Sequence, residues 1–237
     1  MLLDALARGL AEMEGAVERL SAGRGRVAGT LRLNAPRVAL PMAVTPILAR
    51  LALRHPDLTV EVTSDDALTD IVGGGFDAGI RLGETIAQDM VAVRLTAPFR
   101  AVMVAAPGYL ARAGVPAGLD DLAAHNCIGF RLIRSGAVYA WDLRREGRDV
   151  AVSVRGTARV TDPLYARDLA LAGIGIAYVF EPLVRADLAA RRLSAVLPEA
   201  AIEEPGLFVY FPRSSAGMPR LRAFLDAARE RLRAAPA

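Results

Sequence analysis

The sequence predicts an α/β protein made of two lobes, and three features carry this prediction. Between residues 29 and 64 the apolar spacing changes from every second residue to every third or fourth and back, which is typical of a strand, a helix and a strand. The apolar run from Phe99 to Ala106 suits a central strand of a second sheet, and it follows a break at Thr96-Ala97-Pro98. A final strand and helix follow from Leu207, so we expect the chain to cross twice between the lobes.

The first of these segments is a βαβ unit. Leu31 and Leu33 alternate with polar residues, and Leu58 to Ser64 returns to the same period. Between them, the apolar stripe of the helix falls on Leu40, Val44, Ile47, Leu48 and Leu51. Pro46 interrupts this stripe and predicts a kink, because proline lacks a backbone donor. A βαβ crossover makes its strands parallel, so the loop Ala35-Pro36-Arg37 is expected at the carboxyl end of the first strand, where ligands of open α/β sheets bind.

The composition argues against several classes of protein. Hydrophobic residues make up 53% of the 237, which excludes a disordered chain. Lys and Arg total 29 against 26 Asp and Glu, and they are scattered, so the net charge of +3 indicates a solvated surface rather than a nucleic-acid interface. The single Cys127 rules out a disulfide within the chain, and its apolar neighbours predict a buried thiol. With no signal segment and no long uncharged apolar window, we expect a cytoplasmic protein without a membrane span.

The first 22 residues carry a heptad pattern. Its apolar positions are Leu3, Leu6, Leu10, Met13, Val17 and Leu20. This alternating spacing of three and four residues is that of a dimerisation seam, although an amphipathic helix packed on its own domain would show the same stripe. Glycines then break the helical pattern, so residues 23–28 are predicted to form a flexible linker.

Arg81 is a candidate for a ligand site. It lies within the apolar strand predicted from Phe76 to Leu82. A charge in such a strand is costly unless it is compensated, so its guanidinium should face an acid or a ligand.

Elements further along the chain follow from capping and turn signals. Asp65-Asp66 can cap a helix from Ala67 to Val72, and Thr161-Asp162-Pro163 can start another helix. The stretch from Trp141 to Val154 predicts a hairpin whose three-residue turn is Glu146-Gly147-Arg148.

A set of short motifs runs through the chain from Gly29 onward. They are Gly29-Thr30-Leu31-Arg32-Leu33, His55-Pro56, Asp77-Ala78-Gly79-Ile80-Arg81-Leu82-Gly83, Ala106-Pro107-Gly108-Tyr109-Leu110, Asp121-Leu122-Ala123-Ala124-His125-Asn126-Cys127, Ala172-Gly173-Ile174-Gly175-Ile176-Ala177 and Met218-Pro219-Arg220. Taken together, these motifs resemble the effector-binding region of LysR-type transcriptional regulators.

The resemblance implies a two-lobed periplasmic-binding-protein-like fold of type 2, in which two Rossmann-like subdomains are joined by two crossover strands. Residues 29–97 and 207–237 would form effector-binding lobe I, and residues 98–206 would form lobe II. Residues 1–22 would be the end of the linker helix through which such regulators form homodimers or tetramers. DNA would be bound only through a winged helix-turn-helix that this chain lacks.

The implied function is to bind a small-molecule effector between the lobes and so to control transcription. Strand ends and the resemblance together predict effector contacts at Ala35, Pro36, Arg37, Ser64, Asp65, Arg81, Phe130, Arg131, Thr161, Asp162 and Gly175. The three arginines favour a carboxylate, whereas the aspartates could receive an amine, so an amino acid would satisfy both. No cofactor and no metal ion are predicted.

The chain departs from the family pattern in two places. The first effector loop reads Asn34-Ala35-Pro36-Arg37 where many relatives have a serine or threonine, so backbone N–H groups and Arg37 would have to bind the effector there. Arg191-Arg192-Leu193 stands where a glycine usually precedes the leucine of an edge strand, so this turn is expected to differ.

Two other classes of function compete with a regulatory domain. A solute-binding protein that delivers a ligand to a transporter would share the two-lobed fold, but it needs export, and no signal segment is present. An enzyme would need a nucleophile, a base or a metal set. His55 and His125 are the only histidines, and both lie in ordinary surface or turn contexts.

Overall fold

The computed structural model describes residues 26–66, 71, 73–83 and 90–234. The predicted linker helix 1–22 with its heptad seam lies outside the described residues, as does the helix predicted over 67–72 apart from Ile71. The described residues divide into two compact units. Unit 1 contains those up to Ala97 and those from Gly206, and unit 2 is Pro98–Pro205.

Strands and helices alternate along much of the chain. The strands are β1 (Gly29–Ala35), β2 (Leu58–Ser64), β3 (Ala78–Leu82), β4 (Met90–Arg94), β5 (Phe99–Ala105), β6 (Cys127–Phe130), β7 (Trp141–Arg145), β8 (Arg148–Val152), β9 (Arg159–Val160), β10 (Ile176–Phe180), β11 (Ser194–Val196), β12 (Ile202–Glu204) and β13 (Leu207–Pro212). The α-helices are α1 (Thr45–Arg54), α2 (Pro107–Ala113), α3 (Pro163–Leu171), α4 (Glu181–Ala189) and α5 (Pro219–Ala234). A π-helical turn covers Leu40–Val44, and short 3₁₀ helices cover Leu119–Ala124, Pro198–Ala200 and Arg213–Gly217.

The sheet of unit 1 contains the predicted βαβ unit. Its strand order is β2-β1-β3-β13-β4. β1 is parallel to β2 and to β3, while β13 is antiparallel to both β3 and β4. Leu31 and Leu33 on β1 are fully buried, as their alternation with polar residues predicts.

A π-helical turn directly precedes α1, close to Pro46, where the sequence predicts a kink. The N–H of Thr45 donates to the carbonyl oxygen of Leu40, five residues back, and α1 follows directly. Proline at position 46 has no N–H for the carbonyl of Met42, four residues earlier. Arg231 on α5 donates to this Met42 oxygen at 2.7 Å, so a tertiary hydrogen bond replaces the missing helical one.

A buried ion pair joins Asp77, the residue before β3, to Arg220 in the first turn of α5. Asp77 Oδ1 accepts from Arg220 Nη2 at 2.9 Å, and the two side chains are only 14% and 12% exposed. Asp77 Oδ2 accepts the backbone N–H of Arg32 at 2.8 Å. One carboxylate therefore connects β1, the start of β3 and α5.

Unit 2 is built on a mixed sheet with apolar clusters that include side chains from its strands. The strand order is β11-β5-β10-β6-β9, and β12 also pairs with β5. β10 is parallel to β6 and β6 to β9, while β5 is antiparallel to β10. One cluster includes Met103, Leu122, Trp141, Leu143 and Ile176, and another includes Val104, Ile128, Ala177 and Val184. The β7–β8 hairpin thus contributes Trp141 and Leu143 to the first cluster.

Two turns of unit 2 have backbone conformations that L-residues seldom adopt. The β7–β8 turn has two residues rather than the predicted three, because β7 ends at Arg145 and β8 begins at Arg148. Glu146 and Gly147 both have positive φ, 50° and 79°, as a two-residue turn of type I′ requires. Arg191 has φ 55° at the turn where the family pattern led us to expect a difference.

Candidate functional site

In unit 1 several of the predicted effector residues gather at one edge of the sheet. β1 and β2 end in register, with Ala35 opposite Ser64. The N–H of Asp65 donates to the carbonyl oxygen of Ala35 at 3.0 Å, so the chain just beyond β2 is also bonded to β1. Pro36 and Arg37 follow directly after β1. The structure therefore brings these five residues together at the carboxyl ends of two parallel strands.

The carboxylate of Asp66 contacts the backbone N–H and the guanidinium of Arg37, the two groups that we expected to bind the effector in this loop. Its Oδ1 accepts the backbone N–H of Arg37 at 2.9 Å, and its Oδ2 lies 3.5 Å from Arg37 Nη1. An effector that uses Arg37 in place of a hydroxyl ligand would therefore share its N–H and guanidinium with Asp66. A carboxylate of the chain itself already contacts both groups.

The guanidinium of Arg81 contacts the end of β1. Arg81 Nη2 donates to Asn34 Oδ1 at 2.6 Å, and Nη1 donates to the carbonyl oxygen of Ile80 at 2.6 Å. Asn34 is only 1% exposed, and its Nδ2 has no hydrogen-bond partner among the described residues. Asn34 is thus a candidate site residue that the sequence-based prediction missed.

The alternation of residues along β1 could in part have identified Asn34 as a candidate site residue. Leu31 and Leu33 face the core, so Arg32 and Asn34 share the opposite, polar side of β1. The side chain of Arg32 is exposed and pairs with Glu61 at 3.0 Å, whereas Asn34, two residues further on, is enclosed. A polar residue enclosed at the carboxyl end of an inner strand is a candidate site residue, but the sequence alone does not show which positions of β1 are enclosed.

An aromatic ring lies beside Arg81 on the same face of the sheet. Phe208 on β13 stands opposite Arg81 on β3 and opposite Arg94 on β4. The Cζ atom of Arg94 lies 4.5 Å from the centroid of the Phe208 ring, which is a cation–π contact. The side chains of two arginines and one phenylalanine therefore lie on one face of the sheet.

In unit 2 the predicted residues lie at the carboxyl ends of β6 and β9. Phe130 pairs with Val160, and the N–H of Arg131 donates to the Val160 carbonyl oxygen at 2.7 Å. Thr161 and Asp162 follow Val160 directly. Asp162 is also the predicted cap of α3, since its carboxylate accepts a backbone N–H of the first turn at 2.9 Å.

Gly175 lies at the other end of these strands. It precedes β10, whose first residue Ile176 pairs with Cys127 at the start of β6. A Cβ at Gly175 would lie 2.0 Å from the carbonyl oxygen of Asn126, so a close approach of two backbone segments requires the glycine. The structure therefore separates Gly175 from Phe130 within unit 2 and gives it a packing role.

Reactive groups of other kinds are few in the part of the chain that the structure describes. No three His, Cys, Asp or Glu side chains among those residues are grouped closely enough to hold a metal ion. Cys127 is buried, as predicted, and burial raises the pKa of its thiol to about 12. Such a thiol stays protonated near neutral pH and is a poor nucleophile. None of the helices in the described ranges combines the length and apolarity that crossing a membrane demands.

One protein-family model and several known relatives match most of the chain. The LysR substrate binding domain model matches residues 24–233. A putative transcriptional regulator of Pseudomonas aeruginosa is 37% identical over 228 residues, which is 96% of this chain and 74% of that protein. The HTH-type transcriptional regulator PgrR of Escherichia coli is 30% identical over 225 residues, which is 95% of this chain and 75% of that protein.

Solved structures of regulators have the same fold. The regulatory domain of CrgA, a LysR-type transcriptional regulator from Neisseria meningitidis, superposes with a TM-score of 0.75 and 27% identity, over 86% of this chain and 99% of that one. The full-length virulence activator AphB of Vibrio cholerae has a TM-score of 0.77 at 20% identity, over 98% of this chain and 75% of that one, which supports the fold alone. The fold is the predicted periplasmic-binding-protein-like fold of type 2. The chain belongs to the LysR substrate-binding-domain family and is the effector-binding part of a LysR-type transcriptional regulator.

Proposed function

We propose that this domain recognises a small-molecule effector through residues at the carboxyl ends of parallel strands in each unit, and that binding controls transcription. The observation that carries the proposal is the paired ending of β1 and β2, where Ala35 stands opposite Ser64. Ligands of open α/β sheets bind at such strand ends. β6 and β9 end in the same way at Phe130 and Val160.

The proposed effector contacts follow these strand ends. In unit 1 they are Ala35, Pro36, Arg37, Ser64, Asp65 and Arg81, and in unit 2 they are Phe130, Arg131, Thr161 and Asp162. Gly175 is left out, because a close backbone approach accounts for it. The position of the effector between the lobes stays a prediction of the family resemblance.

The proposed role is regulatory rather than catalytic. The relatives compared above are named as transcriptional regulators, and this supports regulation over delivery of a solute to a transporter. An effector that binds one conformation more tightly than another shifts the population toward that conformation. Coupling of this shift to a DNA-binding region of the whole regulator would change transcription.

Blocking one strand end tests the proposed site. Ser64 is exposed at the carboxyl end of β2, so Ser64→Trp places an indole ring at that edge without entering the core. Ligands are first identified by calorimetry of the wild-type chain against a panel of organic acids, amino acids, amines and sugars. We expect a ligand so identified to bind the variant at least about tenfold more weakly, a loss of about 1.4 kcal/mol.

Thr59→Trp is the matched control. Thr59 is also exposed on β2, but it lies near the amino end of the strand. This variant should leave the affinity within about 0.5 kcal/mol of wild type. A wild-type chain that binds nothing in the panel, or equal losses in the two variants, would argue against the proposed site.

A further inference from the structure

We propose that Asn34 is an effector-binding residue and that its side-chain amide donates a hydrogen bond to a carboxylate oxygen of the effector; this rests on the proposed function. Asn34 is 1% exposed, yet its Nδ2 has no acceptor among the described residues. Buried side-chain amides are nearly always hydrogen-bonded in folded proteins. The missing acceptor is therefore a feature that a ligand oxygen would explain.

The orientation of this amide follows from its neighbour. Arg81 Nη2 lies 2.6 Å from the side-chain oxygen of Asn34. A guanidinium group has donors only, so the amide oxygen must face it and the NH₂ group must point elsewhere. Exchanging the two amide atoms would bring donor against donor. The atom without a partner is therefore a donor, and the effector must bring an acceptor to it.

The location of Asn34 connects it with the proposed site. Asn34 immediately precedes Ala35, where β1 ends opposite Ser64. Thr63 is its partner on β2 and lies one residue before that edge. An ordered water could also accept from a buried amide. However, an effector held at the end of β1 would contact Ala35, the residue that directly follows Asn34.

The two guanidinium groups on the face of the sheet that carries Asn34 favour an anionic acceptor over a neutral one. The Arg81 guanidinium is bonded to the same amide, and Arg94 stacks on the neighbouring Phe208 ring. A carboxylate close to a guanidinium gains from the charge as well as from the hydrogen bond. Organic acids, including amino acids, therefore fit this end of β1 better than sugars do.

Asn34→Asp is the variant that isolates this contact. Aspartate keeps the shape of the side chain and an oxygen to accept from Arg81, but it replaces the NH₂ group with an oxygen that repels a carboxylate. Thr63→Asp is the matched control. Thr63 is exposed and in register with Asn34, so this variant adds the same charge in the same row and leaves the amide in place.

The probes are acetate, succinate and benzoate, with acetamide, succinamide and benzamide as their neutral counterparts. By calorimetry we expect at least one acid to bind the wild-type chain at least about tenfold more tightly than its amide. Asn34→Asp should bind that acid at least about tenfold more weakly than wild type does. The affinity of Thr63→Asp for the acid should stay within about threefold of wild type, since an exposed charge is screened. In ¹H–¹⁵N spectra the side-chain amide signals of Asn34, assigned by their loss in Asn34→Asp, should shift on binding.

Several results would overturn the inference. They are the absence of binding by all three acids, equal binding of an acid to Asn34→Asp and Thr63→Asp, and amide signals that do not move, which would make an ordered water the partner. If a neutral panel compound binds wild type and Ser64→Trp blocks it, the proposed function stands and the carboxylate inference falls. If no compound in either experiment binds, both are wrong.

Discussion

At the scale of single residues, Asp187 is a buried carboxylate held by two arginines. Its side chain on α4 is fully buried. It accepts from Arg167 Nε at 2.6 Å and from Arg192 Nε and Nη2 at 3.0 and 2.5 Å. The hydrogen bond from Arg167, assisted by that from Arg192, lowers the pKa of Asp187 below its usual value although burial opposes this shift. The same contact raises the pKa of Arg167.

Asp187→Asn should destabilise the chain by about 1–3 kcal/mol at neutral pH. The variant removes the charge that both arginines face, while their guanidinium groups, 28% and 58% exposed, can still be hydrated. Because the folded-state pKa lies below the unfolded value, the stabilisation by Asp187 is complete above about pH 4 and is lost as the pH falls through the folded-state pKa. Urea unfolding of both chains across this range measures the difference.

Asp168→Asn is the control for this prediction. Asp168 is 59% exposed and lies 3.6 Å from the same Arg167, so removing its charge should change the free energy of unfolding by less than about 0.5 kcal/mol. A destabilisation by Asp187→Asn that stays constant as the solution is acidified would show that the charge of Asp187 is not its cause.

The roles of some polar residues could be predicted from their neighbours in the sequence, whereas the roles of others depend on partners far away in the chain. Asp162 could be identified as a cap because its acceptor role involves the very next residues of the chain. Asn34 and Asp187 could not be recognised as buried polar groups. Their partners Arg81 and Arg167 lie 47 and 20 residues away, and only the folded units bring them together.

At the scale of elements, apolar spacing predicted most strands and helices but not the contacts that complete them. The stripe of α1 and the break at Pro46 are both visible in the sequence. The donor that compensates for this proline is Arg231 on the last helix, which also donates to the carbonyl oxygen of Leu95 at 3.2 Å. β12 has only three residues, too few for alternation to reveal it.

Arg231→Met should therefore cost about 1–3 kcal/mol of stability, because it leaves the carbonyl oxygens of Met42 and Leu95 without this donor. Methionine retains much of the apolar stem, so the loss reports mainly on the hydrogen bonds. Arg233→Met is the control, since Arg233 is exposed two residues further along α5, and it should stay within about 0.5 kcal/mol of wild type. Guanidinium unfolding compares the three chains, and equal midpoints for Arg231→Met and wild type would show that the π-helical turn does not need this donor.

At the scale of the whole molecule, the fold class and the family could be predicted because both depend on the order of elements and motifs along the chain. The predicted βαβ unit also indicated that the parallel strands β1 and β2 end at the same edge of the sheet. The order of elements failed to place Gly175, because a glycine before an apolar strand has the same sequence pattern at either edge of a sheet. The close approach to Asn126 that explains this glycine appears only in three dimensions.

Self-association is expected through the heptad pattern of residues 1–22 and through the domain itself. Positions a and d of a heptad meet the partner helix, so Leu10→Lys combined with Val17→Lys would place two charges in an apolar seam. Burying unpaired charges is strongly unfavourable, and the double variant should therefore dissociate at concentrations where the wild-type chain remains associated. Sedimentation equilibrium measures the masses of both.

The matched control is Ala11→Lys combined with Glu18→Lys. These positions directly follow the two seam residues and lie outside the a and d positions, so lysine side chains there can remain in water. The control should keep the wild-type mass although it changes the net charge by more than the seam variant does. A chain that starts at Gly29 separates the two contributions, because any association that it retains belongs to the domain. If wild type, the seam variant and the shortened chain all sediment as monomers, neither the seam nor the domain associates. The apolar stripe of residues 1–22 would then be explained by packing within one chain.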